Sequence, residues 1–453
     1  MCSKRRWVAA GCAVVCLAVA ACSSPSPSKA GGASTVASTG GSGQGAAPSA
    51  ASSLGIDLSK CPSDITKPMS GTVLVGSTMA LTGPVAPALL PVADGMRAAI
   101  DDLNATSGLP VKFALTILDD QYLPSKALVN AQQLIQSNKV DFLNNPIGTS
   151  EVQAVRPMAE QYCVPVLAAN AGGVSGNTVS KYPSTVVWSL PAYVDAKAWV
   201  DYLKAKFPGG AKVAILTATS DAVGQDYLNA VHELTNGTNI NIVSSTQVAV
   251  TAAGPPSIQV SQMKASGANV LMAIPTTGPQ CASTIKEVAN EGWKPDAFLL
   301  TSECSTLQLV SPAGEAANGV LCNLYINDPA AASATSDVGL QKIVAAIKKY
   351  VPGATITGST ISGFSSIETM FQAAEQAQKS PLGLSRLGVL YAATHMTYQS
   401  STMLPGVVYS LNYPKDEVAM ESTQMSRFDG QTGQFVKVNL YDYNGQTTGK
   451  ASD

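Results

Sequence analysis

Short runs rich in β-branched residues alternate along this chain with stretches whose apolar residues recur every three or four positions. That alternation predicts parallel βαβ units. Thr72 to Met79 predicts a strand, Pro91 to Asn104 a helix, Val111 to Leu118 a strand and Ser125 to Ser137 a helix. The rhythm continues with strands predicted at Val140 to Leu143, Val164 to Ala168, Val213 to Thr217, Ile240 to Val248, Val270 to Ile274, Phe298 to Thr301 and Gly319 to Ile326, with helices largely between them. Met96, Ala99, Ile100 and Leu103 keep a helical period, as do Leu128, Ala131, Leu134 and Ile135, which predicts core-facing stripes. From about Cys61 to Asp453 the chain is too long for one ordinary core, so the expected fold is α/β with two doubly wound parallel-sheet lobes.

The first residues follow another pattern. Lys4, Arg5 and Arg6 precede an apolar run from Trp7 to Val19, and Val19-Ala20-Ala21-Cys22 resembles the lipobox of bacterial lipoproteins. The run is shorter than the roughly 20 residues of a membrane span, so residues 1–21 are expected to be a signal peptide. Cleavage before Cys22 would free its sulfur for a diacylglycerol, giving a lipid anchor on the extracytoplasmic face of the cell membrane. Ser23 to Ser53 is almost wholly Ser, Gly, Ala, Pro and Thr, with Lys29 its only charge, so residues 22–60 are expected to form a disordered tether. About 30 such residues reach about 30 Å.

Composition is globular, with 45% hydrophobic and 13% charged residues. Formal charge is −2, and loss of Lys4, Arg5 and Arg6 leaves −5; with no Lys/Arg cluster, nucleic acid is excluded as partner. Of nine cysteines, five remain beyond Cys22: Cys61, Cys163, Cys281, Cys304 and Cys322. An oxidising exterior favours pairing, and an odd count leaves at least one thiol unpaired. Cys61 and Cys163 each precede a strand, at one sheet edge, while Cys281 and Cys304 each follow one, so Cys61 with Cys163 and Cys281 with Cys304 are the favoured pairs.

In an open parallel sheet, ligands bind at loops following the strand C-termini. Four such loops stand out: Met79-Ala80-Leu81-Thr82-Gly83-Pro84, Asp119-Asp120-Gln121-Tyr122, Pro146-Ile147-Gly148-Thr149-Ser150 and Ala169-Asn170-Ala171-Gly172-Gly173. The third opens a helix, where free N–H groups and a hydroxyl suit a carboxylate. Through Leu81-Thr82-Gly83-Pro84, Gly95-x-x-x-Ala99 leading to Asn104, Asp119-Asp120-Gln121-Tyr122-x-Pro124, Gly148-Thr149-Ser150 and Val164-Pro165-Val166, the chain resembles the periplasmic-type (class I) solute-binding proteins of ABC transporters, specifically the branched-chain amino acid (Leu/Ile/Val-binding) family. The resemblance runs from Val73 to about Asp328 and is loose over the last hundred residues.

The resemblance implies lobes joined by three crossovers and closing on a ligand, with lobe I at 61–189 and 327–398, lobe II at 190–326 and 399–453, and hinges near Leu190, Asn327 and Gln399. It implies that Ser150 and the loop Asn170, Ala171 and Gly172 hold an α-carboxylate and that Glu303 pairs with an α-ammonium. Ala222-Val223-Gly224 stands where amino-acid-binding members often carry an aromatic before a glycine, so Met79, Tyr122 and Tyr193 are candidate apolar walls. The implied function is capture of a small polar solute, an amino acid or related carboxylate or amide, for an ABC permease and its ATPase, by a monomer without cofactor or metal. A ligand-sensing receptor of the same fold is the alternative.

Catalysis is not expected. His232 and His395 are the only histidines, Gly173-Val174-Ser175-Gly176 falls short of a nucleophile elbow, and His232-Glu233 lacks the second histidine of a zinc helix. Asp119 and Asp120 are adjacent on an extended segment and so point to opposite sides.

Overall fold

The structure, a computed structural model, describes residues 45–173, 179–219, 222–249, 252, 254–275 and 278–447. The signal sequence, Cys22 and the tether as far as residue 44 lie outside the described residues, as do Val174, Ser175 and Gly176 and the tail from residue 448.

Strands β1 (Thr72–Met79), β2 (Lys112–Asp119), β3 (Phe142–Asn144), β4 (Val166–Ala169) and β5 (Thr185–Val187) form an all-parallel sheet in the order β2-β1-β3-β4-β5. A second sheet begins with parallel strands β6 (Ala211–Thr219), β7 (Ile240–Ala249), β8 (Val270–Ile274), β9 (Ala297–Leu300) and β10 (Leu321–Leu324). After a two-strand ladder of β11 (Thr397–Tyr398) and β12 (Tyr409–Ser410), the hairpin β13 (Ser422–Asp429) and β14 (Gln434–Asp442) adds antiparallel to β10. The second sheet then reads β14-β13-β10-β9-β8-β6-β7. Strands β3, β4, β8 and β9 are buried throughout because helices cover both faces, whereas the edge strand β7 alternates buried and open positions.

Each sheet has its own core. Val73, Val75, Phe113 and Phe142 pack with the helices Ala86–Thr106 and Gly358–Lys379 on one face of the first sheet. Those two helices interlock at glycines: a methyl group on Gly95 would lie 1.9 Å from the Thr360 carbonyl oxygen, and one on Gly363 2.0 Å from that of Val92. Val213, Ile215, Val270 and Leu299 face one core of the second sheet, and Ala214, Leu216, Leu271 and Leu300 face another.

The chain passes between these cores three times. Trp188 belongs to the first sheet's core and Leu190 to the second's; Leu324 belongs to the second and Ile326 to the first; Met420 belongs to the first and Met425 to the second. The third passage is spread along the chain: residues 402–404 run beside the second crossover, with Leu404 N donating to Tyr325 O and Asn327 N to Thr402 O. Leu404 packs on both sheets' cores, and farther on Val418 joins the second core while Ala419 and Met420 join the first.

The N-terminal segment also departs from expectation. Residues 45–60 are ordered: Ala46–Leu54 is a helix whose Ala51 and Leu54 are buried against the helix Arg386–Ala393, and Leu58–Lys60 is a 3-10 turn. The cause is spacing. Ala47, Ala50, Ala51 and Leu54 make an apolar stripe at intervals of three and four, hidden in a composition that otherwise reads as tether. Disulfides join Cys61 to Cys163 and Cys281 to Cys304, and Cys322 is a buried thiol.

Candidate functional site

The C-terminal ends of β1 to β4 carry four loops that lean on one another. After β2, Asp119 accepts hydrogen bonds from Leu81 N (2.8 Å), Thr82 N (3.2 Å), the Thr82 hydroxyl (2.6 Å) and Gln121 N (3.0 Å), which ties two loops together. Partial burial opposes its ionisation, but these four donors outweigh that and hold its pKa below the ordinary value. Asp120 points the other way, fully buried, accepting from the Thr78 hydroxyl (2.8 Å) and Tyr122 N (2.9 Å). Its burial prevails over those donors, so its pKa is raised. The two aspartates thus serve structure: their side-chain oxygens receive the N–H groups of Gln121 and Tyr122, both left-handed at φ 57° and 58°, and so fix the loop bearing the Tyr122 ring.

Gly148, at φ 112°, turns the chain into the helix Thr149–Tyr162. A methyl group there would meet the Glu151 carboxylate at 1.9 Å and the Tyr122 ring at 3.1 Å, so only glycine fits. Gly148 N donates to Asn170 O and Asn170 N to Pro146 O, both at 3.0 Å, and Gly173 N donates to the Thr149 hydroxyl at 3.1 Å. Gly172 O accepts from Ala192 N at 2.6 Å, linking this loop to the first helix beyond the first crossover.

Across from these loops stands Glu303, just after β9 in the 3-10 turn Ser302–Cys304. A methyl group on Gly172 would lie 2.8 Å from Glu303 Oε1 and 3.0 Å from Val223 Cγ2, and one on Gly173 2.2 Å from Asp226 Oδ2. Loops of the first sheet and elements of the second are therefore in contact here. Between them lies a cavity of about 30 Å³, walled by Tyr122, Ile147, Thr149, Asn170, Gly172, Val223 and Glu303, room for about one water. A neighbouring cavity of about 110 Å³ shares Tyr122, Ile147, Asn170 and Glu303 and extends along Val85, Leu89, Val92, Leu309 and Ile326 to Ser359 and Ser362. Glu303 is the only formally charged side chain lining either cavity among the described residues. A larger hollow, about 640 Å³, lies at the start of β9 and β10, the sheet edge opposite this cleft, among Lys206, Trp293, Lys294, Glu315 and Arg427.

The profile of the periplasmic binding protein family matches residues 72–432. The chain belongs to the periplasmic binding protein family. Solved structures agree in fold. A possible leucine/isoleucine/valine-binding protein from Rhodopirellula baltica SH 1 superimposes with a TM-score of 0.66 at 18% identity, over 83% of this chain and 98% of that one. An ABC transporter solute-binding protein from Rhodopseudomonas palustris BisB5, in complex with 3,4-dihydroxybenzoic acid, gives 0.68 at 21% identity over 82% and 97%. A leucine-binding protein from Thermotoga maritima MSB8 gives 0.65 at 16% identity over 82% and 99%.

Within this periplasmic binding protein, Tyr122, Asn170, Gly172 and Glu303 are brought together around the cleft. Other candidates are not. Met79 is fully buried in the first core, Ala171 is buried beneath its loop, and Tyr193 packs in the second core with its hydroxyl donating to Glu233 at 3.0 Å. Ser150 lies half-buried in the first helical turn while its neighbour Thr149 lines the cavity. Val223 forms the wall where an aromatic was looked for. Val85 and Leu89, at the start of one helix, escaped the sequence analysis along with Leu309 and Ser362, because the three segments are far apart in the chain and none of these residues carries a local motif. His232 is exposed, and His395 stacks on Tyr391 with its Nδ1 at 2.8 Å from Tyr391 O. Among the described residues no cluster of His, Cys, Asp and Glu forms a metal site, and no helix is long and apolar enough to cross a membrane.

Proposed function

We propose that this chain is the extracytoplasmic substrate-binding subunit of an ABC importer, held at the membrane by a lipid on Cys22, and that its lobes close as a monomer on an amino acid or an amide-bearing relative. The observation that carries this is the position of Glu303, a second-sheet carboxylate facing Asn170 and Gly172 of the first sheet across a cleft with no lysine or arginine in its lining. Such a cleft suits a solute that brings its own ammonium or N–H donors. The apolar wall of Val85, Leu89, Val92 and Leu309 suits a hydrocarbon side chain beside it.

Contacts to both lobes exist only when they meet, so the solute favours the closed form by that difference in affinity. The lobes divide at the three core-to-core passages, the first between Trp188 and Leu190, the second between Leu324 and Ile326 and the third between Leu404 and Met425. The closed form would then be presented to a permease and its ATPase.

A thermal-shift screen with the amino acids, their amides and hydroxybenzoates tests the reading, since a ligand at 100 times its Kd adds about 2.7 kcal/mol of stability. Amino acids or amides should raise the melting temperature more than the benzoates do. Glu303→Gln should weaken the best hit about tenfold, ~1.4 kcal/mol. Stabilisation by benzoates alone, or unchanged affinity in the variant, contradicts it.

A further inference from the structure

Beneath Glu303 lies a buried polar group that the cleft itself does not use. Asp195 is fully buried, one turn into the helix Ala192–Lys206 that follows the first crossover. Its Oδ2 accepts from Ser302 N at 2.8 Å and from the Tyr227 hydroxyl, and its Oδ1 accepts from Asn323 Nδ2. Because Tyr227 donates to Asp195, the Thr301 hydroxyl, 2.9 Å away, donates to the Tyr227 oxygen and keeps lone pairs for Glu303 N at 3.3 Å. Asn323 sits in β10, which runs into the second crossover. One carboxylate thus joins the helix after the first crossover, the strand before the second, and the turn carrying Glu303.

We propose that Asp195 is a positioning residue for the ligand cleft, fixing the Thr301-Ser302-Glu303 turn to both crossovers so that the Glu303 carboxylate moves with the hinge as one body. This rests on the reading of Glu303 as a ligand contact. A carboxylate is the side chain that offers three acceptor sites at this junction. Asparagine can imitate part of it: its oxygen still receives Ser302 N and the Tyr227 hydroxyl, which hold the turn, while its Nδ2 meets Asn323 Nδ2, which also donates to the Asp195 backbone oxygen at 3.1 Å and so stays as it is. Alanine cannot.

Hydrogen exchange of the full chain, followed in peptides spanning residues 299–306, tests this without any ligand. Asp195→Ala should speed exchange at the Ser302, Glu303 and Cys304 amides at least tenfold, with the rest of the second lobe little changed, whereas Asp195→Asn should stay within about twofold of the parent. Unchanged exchange in the alanine variant, exchange raised evenly across the lobe, or an asparagine variant as fast as alanine would overturn the proposal. Should Asp195→Ala not fold, Tyr227→Phe removes only the hydroxyl joining Asp195 to Thr301; exchange at these amides at least threefold faster supports the proposal and a parental rate overturns it. Calorimetry with L-leucine then separates the two claims. If the parent binds, Asp195→Ala should lose at least tenfold in affinity and Asp195→Asn should recover most of it. If the parent fails to bind any amino acid or amide, the functional reading fails while exchange still decides the role of Asp195.

Discussion

Replacing Gly172 by alanine puts one methyl group into the contact between the lobes. Gly172 lies outside the left-handed region that favours glycine, and the atoms nearest the new carbon are Glu303 Oε1 at 2.8 Å, Val223 Cγ2 at 3.0 Å and Glu303 Cδ at 3.9 Å. Carbon atoms prefer about 3.5–4.0 Å, so the Val223 contact alone asks for a retreat of at least about half an ångström. Both opposing residues belong to the second lobe, so the penalty falls on the closed form and spares the open one. Overpacking of this kind costs about 1–3 kcal/mol, and each 1.4 kcal/mol is about tenfold in affinity. Gly172→Ala should therefore weaken solute binding by about fivefold to 150-fold in titration calorimetry, with the melting temperature of the ligand-free protein unchanged. Parental affinity would refute the argument that these loops meet on closure; a large fall in ligand-free stability would show that the glycine serves its own lobe instead.

Three other outcomes follow from the packing. Gly95→Ala drives a methyl group to 1.9 Å from the Thr360 backbone oxygen, where no flexible side chain can yield, and should destabilise the chain by about 1–3 kcal/mol or more in urea denaturation; a neutral result would mean the helices do not interlock there. Glu368 is half-buried, and the desolvation of its carboxylate raises its pKa, against hydrogen bonds from Ser400 (2.6 Å) and Thr402 (3.0 Å). The folded state holds this proton more tightly than the unfolded chain, so its contribution is most favourable below the unfolded pKa and is lost as pH rises through the folded value. Glu368→Gln should then match the parent near pH 4 and melt higher at pH 8, by about 1 °C per kcal/mol for a folded body of this size; a lower melting point at pH 8 would contradict this. Leu54→Ala removes the largest anchor of a nine-residue helix too short to persist alone, so limited proteolysis between residues 45 and 58 should accelerate while the body of the chain stays intact, and an unchanged rate would count against docking.

What the sequence made legible follows from how strongly each element is constrained. β1 and β8 fall at the limits the pattern predicts, because turn residues bound their apolar runs. β5 has three residues, and β11 and β12 two each, too few for any periodicity to register. The β13–β14 hairpin was missed although Val436 and Val438 alternate with Lys437 and Asn439 as in a strand; both faces of β14 are open, so no buried stripe accompanies the alternation. Within the cleft, Tyr122, Asn170, Gly172 and Glu303 were reachable because parallel strands deliver their following loops to one edge. Side-chain direction was not reachable. Met79 and Ala171 sit at strand ends or in loops as expected, yet each points inward, and Tyr193 turns away to Glu233 on the helix Ala222–Thr235. The apolar wall depends on Leu309, and the far end of the cavity on Ser359 and Ser362, all brought beside Val85 only by tertiary folding.

The account stands on a small solute held between two facing lobes. A crystal structure of the chain with the most stabilising amino acid or amide from the thermal screen addresses this most directly. The account predicts the solute between the Asn170–Gly172 loop and Glu303, with its nitrogen on the Glu303 carboxylate and its hydrocarbon toward Val85, Leu89 and Leu309. A solute seated against one lobe alone, or in the hollow beside Trp293 and Arg427, would contradict it.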